Sequence, residues 1–330
     1  MRVTIIGAGV AGLTCAAEFN DQGHAVTVIA KSKAIGSDSC SWFAGGMLAP
    51  WCEGESAEEP VVRLGQEAIG WWERHVSTVN RKGTLVISHT RDAAELRRFA
   101  RRTEAFETID SEHIDALEPD LAGRFRQGLF FAEEGHLDPR KTLIELAESL
   151  QMKGVVFHLG QDAKDVNIDT DITVDARGLA ARDQLQDLRG VKGEMLVVRS
   201  RDINLSRPVR LLHPRIPLYI VPRGDGIHMI GATMIESDER GSISVRSTLE
   251  MLSAAYALHP AFGEAEILET GVDARPAFPD NLPRVRKRGQ TIYINGLYRH
   301  GFLLSPAVAR MAVAAATETE QKLEFLEELA

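Results

Sequence analysis

The chain has 330 residues, 44% of them hydrophobic and 26% charged, an ordinary globular composition that leaves room for two domains or one large one and excludes disordered and fibrous classes. A formal net charge of −9 excludes a global positive field for holding nucleic acid or an anionic membrane surface. Only three cysteines occur, Cys15, Cys40 and Cys52. They lack metal-ligand spacing and an even count, so neither a metal site nor a disulfide framework is expected, and a reduced, cytoplasmic setting fits. Nowhere do about 20 apolar residues run together, so no membrane span is expected, and the first residues do not read as a signal peptide.

Residues 3–6 read as a strand, 10–21 as a helix and 25–29 as a second strand. Between the first two lies Gly7-Ala8-Gly9-Val10-Ala11-Gly12. In that pattern the first glycine permits a tight turn, the second admits a pyrophosphate to the backbone and the third lets helix and strand pack closely. Phosphates would then meet helical N–H groups at the positive end of the dipole. The motif alone leaves FAD and NAD(P) open. A carboxylate for a ribose hydroxyl belongs at the end of the second strand, yet Ala30 and Lys31 stand there, and a cation at that point keeps an NADP reductase as an alternative.

Residues 36–48 form a loop of small and hydroxyl-bearing residues suited to close wrapping of a long cofactor, with Ser39, Cys40, Gly45, Gly46, Met47 and Leu48 as contacts. A helix and short strands are expected over 82–134, including a solvated basic helix within 91–102. Asp138 and Pro139 read as the N-cap and first position of a helix to about Met152. Residues 172–178 read as a strand ending in small residues, where Ala176 and Gly178 would again approach the cofactor. From 193 to 267 alternating apolar residues predict strands of an antiparallel sheet.

Several ordered motifs together resemble the D-amino-acid oxidase and glycine oxidase group of flavoproteins, especially the glycine oxidases of thiazole biosynthesis. They are the first glycine motif, Ala44-Gly45-Gly46-Met47-Leu48, Gly135-His136-Leu137-Asp138-Pro139, Val191-Lys192-Gly193-Glu194-Met195, Tyr219-Ile220-Val221-Pro222-Arg223 and Ile230-Gly231-Ala232-Thr233-Met234. Two more are the most specific: Ala274-Arg275-Pro276-Ala277-Phe278-Pro279-Asp280-Asn281-Leu282-Pro283 and Asn295-Gly296-Leu297-Tyr298-Arg299-His300-Gly301-Phe302-Leu303-Leu304-Ser305-Pro306.

The resemblance implies an α/β fold, a Rossmann-type FAD-binding domain (1–81, 135–190 and 268–330) interleaved with a mostly antiparallel α+β substrate-binding domain (82–134 and 191–267). It implies oxidative deamination of glycine or another small amino acid, with dioxygen or another electron acceptor, in a protein that could form a homo-oligomer. Arg275 matches the family's carboxylate-binding arginine, Tyr219 a tyrosine aiding it, Met234 a pocket wall and Arg299 a second arginine near the entrance. The backbone of His300, Gly301, Phe302 and Leu303 would face the flavin. Sarcosine oxidases, which are similar, attach flavin through a cysteine in the C-terminal region. No cysteine follows Cys52, so non-covalent FAD is expected. A D-amino-acid oxidase or dehydrogenase of broader specificity and a non-catalytic flavin-binding protein complete the alternatives.

Overall fold

The computed structural model describes residues 1–167, 169–215, 217–318 and 324–328. In chain order its elements open with β1 (Arg2–Ile6), α1 (Val10–Asp21), β2 (Ala25–Ala30), β3 (Met47–Leu48), α2 (Pro50–Glu53), α3 (Glu59–Gly65) and α4 (Ala68–His75). Then follow β4 (Thr84–Ser88), α5 (Ala93–Ala100), β5 (Glu107–Asp110), α6 (Ser111–Leu117), β6 (Gln127–Phe131), β7 (Gly135–His136), α7 (Pro139–Met152), β8 (Val156–Leu159) and β9 (Ile172–Asp175). The remainder is β10 (Arg189–Arg199), β11 (Val209–Leu212), β12 (Leu218–Gly224), β13 (Ile227–Gly231), α8 (Val245–Leu258), β14 (Glu266–Ala277), β15 (Arg284–Arg288), β16 (Thr291–Asn295), α9 (Gly301–Ala316) and β17 (Leu326–Glu328).

Two large sheets result. The first runs β17-β15-β16-β9-β1-β2-β8, and only its β15–β16 junction is antiparallel. β1 lies inside it, between β9 and β2, and its Val3 and Ile5 are buried under helices, as a parallel strand covered on both faces requires. α1 carries Leu13, Cys15, Ala16, Ala17 and Phe19 fully buried, and its small residues let it lie against the equally buried α9. α7 starts as the sequence predicts: the Asp138 carboxylate accepts from the Arg140 and Lys141 amides, with Pro139 at the first position.

The second sheet runs β14-β10-β13-β12-β11-β4-β6-β5 and is antiparallel except between β11 and β4. Strand alternation sends Leu218 and Ile220 into a core with Met251, Ala255 and Leu258 of α8, and leaves Tyr219 on the opposite face. The basic helix within 91–102 is α5, which buries Leu96 and Phe99.

One expectation is corrected. Residues 193–267 are not all strand, because α8 occupies Val245–Leu258. Its signals are a Ser244 N-cap accepting from the Ser247 amide, and Met251, Ala254, Ala255 and Leu258 buried at helical spacing. Among the described residues no helix is long and apolar enough to cross a membrane.

Candidate functional site

A cavity of about 780 Å³ runs from the carboxyl ends of β1, β2 and β9 to the facing strands β10, β12 and β14 of the second sheet. Its first wall is the glycine turn. Gly7, Ala8, Gly9, Val10 and Ala11 line it, whereas Gly12 does not. Gly12 is instead where α1 crosses β1, and a Cβ there would overlap the Gly7 carbonyl oxygen. Gly7 has φ of 117°, and a Cβ would come within 2.5 Å of the Ala176 carbonyl oxygen. Gly9 differs: its Cβ would meet Ser41 Oγ at 3.4 Å, an ordinary contact, so the absent side chain leaves space on the cavity side.

Ser39, Cys40, Gly45, Gly46 and Met47 line the cavity. Leu48 is fully buried and stands off it, because strand alternation turns it into the core. Sequence reasoning missed what holds this loop. The half-buried Arg223 guanidinium donates to the carbonyls of Ala44, Gly45 and Leu137 at 3.1, 2.9 and 3.1 Å, tying β12 to the loop. It also missed Ser41, whose Oγ accepts from the Val10 amide at 3.2 Å and thus joins the loop to the start of α1.

Ala176, Gly178 and Lys31 line the same cavity. So do Arg299, His300, Gly301, Phe302 and Leu303, which carry the start of α9. Two long helices therefore open their N-termini onto one cavity, and neither Gly9 nor His300 caps its helix with a side chain. Two positive helix ends without N-cap side chains, beside glycines that admit backbone approach, fit a long anionic cofactor such as a flavin dinucleotide.

Arg275 on β14 and Tyr219 on β12 line the far end. The Arg275 guanidinium crosses Gly193 of β10, where a Cβ would overlap it. Its Nη1 donates to the Thr233 carbonyl at 3.0 Å. The Tyr219 ring lies against Gly45 and Gly231, both of which would press a Cβ to 3.0 Å from it. Met234 departs from its expected place: it is 54% exposed and does not line the cavity, and its Sδ lies by Tyr298 Oη and Arg299 Nη1 at 3.4 and 3.5 Å. The chain leaves β13 at Gly231 before reaching it, so strand alternation no longer aims it at the wall.

Glu53 is the largest omission from the sequence reading. Nearly inaccessible, it accepts from Arg210 Nη2 at 2.6 Å and Arg299 Nη2 at 2.9 Å, and His300 Nδ1 lies 3.6 Å away. A carboxylate closing the apolar stretch Ala49-Pro50-Trp51-Cys52 was its one local signal. Burial alone would raise its carboxyl, but Arg299, Arg210 and His300 pull it well below the usual range. Burial holds His300 down at about 4 against the pull of Glu53, so its imidazole is neutral near pH 7 and serves as structure.

Burial of these groups sets a pH dependence. It also pushes His228 down to about 4 and His136 to about 3, so between pH 6.5 and 4 the unfolded chain binds protons that the fold refuses. Stability then falls on acidification. Glu53 acts in the same direction below about 4.5, while Glu134, raised by burial to about 7, opposes it between 4.5 and 7. Between pH 7 and 4.5 the three histidines outweigh the one carboxyl, because every tenfold change in a group's proton affinity between the folded and unfolded chain is worth about 1.4 kcal/mol. The melting temperature should drop by roughly 5 °C or more between pH 7 and pH 4.5. A Tm that is flat or rising over that interval, in a thermal scan, would contradict these burial effects.

Residues 2–315 match the FAD dependent oxidoreductase (DAO) family. The chain belongs to this family. ThiO of Rhizobium etli, described as a thiamine biosynthesis oxidoreductase, is 55% identical over 322 residues, 97% of this chain and 98% of that one. A glycine oxidase of Pseudomonas aeruginosa is 24% identical over 348 residues, 94% and 93% of the two chains. The crystal structure of glycine oxidase from Geobacillus kaustophilus shares the fold, with a TM-score of 0.81 at 22% identity over 98% of this chain and 96% of that one. The cavity of this FAD-dependent oxidoreductase is thus framed by the glycine turn, the loop after β2 and the start of α9.

Proposed function

We propose that this chain oxidises the carbon–nitrogen bond of glycine or another small amino acid, in the service of thiazole formation for thiamine. The observation that carries the substrate class is one of charge. Four arginines line the cavity: Arg177 pairs with Asp175 and Asp183, Arg240 with Asp273, and Arg299 with Glu53. Among the described residues Arg275 alone of the four meets no carboxylate, only the Thr233 carbonyl. A guanidinium left in that condition suits a bidentate carboxylate ligand, which every amino acid carries. Tyr219, which lines the same cavity from β12, would supply a hydroxyl to that carboxylate.

FAD, when bound, takes up the hydrogen and electron pair that leave the α-carbon. The protein's part is to fix the carboxylate on Arg275, so that the α-carbon is oriented for the transfer. The neutral amine loses its proton to solvent as the imine forms, and hydrolysis then gives glyoxylate and ammonia. Electrons pass on to dioxygen, giving hydrogen peroxide, or to another acceptor.

The same proposal assigns 1–81, 135–190 and 268–330 to the flavin domain, and 82–134 and 191–267 to the substrate domain. All strands of the first sheet come from the former segments, and β14 crosses the boundary to carry Arg275 into the second sheet. A cytoplasmic location is part of this reading. So is self-association, for which α8 offers exposed Val245, Leu249 and Tyr256. The test is anaerobic: a yellow holoprotein whose flavin bleaches with glycine supports the function, and one inert to glycine and other small amino acids overturns it.

A further inference from the structure

The end of β2 lacks the carboxylate that the adenosine ribose of a dinucleotide needs, since Ala30 is followed by Lys31. The fold brings one from elsewhere. β8 lies parallel to β2, with Leu159 opposite Ala30, so the two chains leave the sheet side by side. Backbone hydrogen bonds zip them together beyond the strands: the Gly160 amide donates to the Ser32 carbonyl at 2.8 Å and the Gln161 amide to the Ala30 carbonyl at 3.1 Å. That delivers Asp162 to Lys31, with Oδ2 and Nζ 2.8 Å apart, while Oδ1 accepts from the Lys164 amide at 3.2 Å. Lys31, Asp162 and Lys164 line the cavity that the glycine turn lines.

We propose that Asp162 stands in for the missing strand-end carboxylate, binds the ribose hydroxyls of the adenosine half of FAD, and makes that end of the cavity reject a 2′-phosphate. The ion pair itself is too exposed to staple the fold, with side-chain accessibilities of 74% for Lys31 and 31% for Asp162. A carboxylate also has more lone pairs than its two present partners occupy, so hydroxyl donors can still reach it. Without Asp162, Lys31 and Lys164 would form a cationic end suited to an extra phosphate. With it, Lys31 is neutralised and a dianion would be pressed against a carboxylate. The inference rests on FAD binding and is independent of the amino-acid substrate.

The test uses apoprotein prepared from the holoenzyme, titrated calorimetrically with FAD, ADP and 2′-phospho-ADP. Loss of hydrogen bonds to a charged group predicts that Asp162→Asn weakens FAD and ADP by about 10- to 100-fold. Asp162→Ala should also reverse the preference between ADP and 2′-phospho-ADP. Adding Lys31→Met to it should abolish the gained 2′-phosphate affinity without restoring FAD affinity. Unchanged FAD and ADP affinities in Asp162→Asn overturn the role of Asp162. A wild-type apoprotein that binds neither FAD nor ADP would instead overturn the FAD assignment beneath it.

Discussion

Arg275→Ala should lower kcat/KM for glycine by roughly two to three powers of ten or more, because removing one partner of a largely desolvated ion pair typically costs about 3–5 kcal/mol. FAD content should stay near normal, since Arg275 holds the substrate end of the cavity and, among the described residues, its guanidinium bonds to the Thr233 carbonyl alone. Arg275→Lys should recover only part of the loss: an ammonium supplies charge but not two parallel hydrogen bonds, and Gly193 has left room for a flat guanidinium. Small amines without a carboxylate are the control. Their poor turnover should change little in either variant, because they lack the group that this arginine binds. Anaerobic flavin reduction by glycine is the measurement, and equal rates and equal glycine affinity in wild type and both variants would remove Arg275 from the site.

The features legible in the sequence are those that depend on local patterns. Gly7, Gly9 and Gly12 name a strand–turn–helix unit by spacing alone, and Asp138 with Pro139 announces α7. Features created by long-range packing are hidden. Glu53 pairs with Arg210 and Arg299, 157 and 246 residues away, and no short motif encodes such an encounter. Asp162 finds Lys31 only because β8 pairs with β2, and Arg223 reaches the loop only because β12 faces it. α8 escapes for a different reason: its apolar residues follow the alternating run of β13, and only the Ser244 cap and the helical spacing of Met251, Ala254, Ala255 and Leu258 mark the change of period. Leu48 and Met234 show the limit of transferring roles by position, since a residue can keep its place in a motif while its side chain turns to the core or to solvent.

Two glycine variants should separate cofactor binding from folding. Gly9 sits at the N-cap of α1 with φ of −82° and ψ of −176°, extended backbone that valine adopts readily. A Cβ there meets Ser41 Oγ at 3.4 Å and nothing closer, so the protein itself tolerates it. The added methyl groups must then occupy the cavity side, where a pyrophosphate would approach the turn. Gly9→Val should therefore purify as a folded, nearly colourless protein with wild-type circular dichroism. Gly12→Val meets a different obstacle, because its Cβ would overlap the Gly7 carbonyl oxygen, a backbone atom that cannot rotate away. Helix α1 must be pushed off β1 within the core that buries Val3, Ile5 and Leu13, so this variant should lose the fold and accumulate as insoluble protein. Flavin absorbance per protein and circular dichroism decide the matter together. A Gly9→Val protein with normal FAD content would show that the cofactor does not pass close to this turn, and a soluble, flavin-bearing Gly12→Val protein would show that α1 and β1 are not held at this spacing.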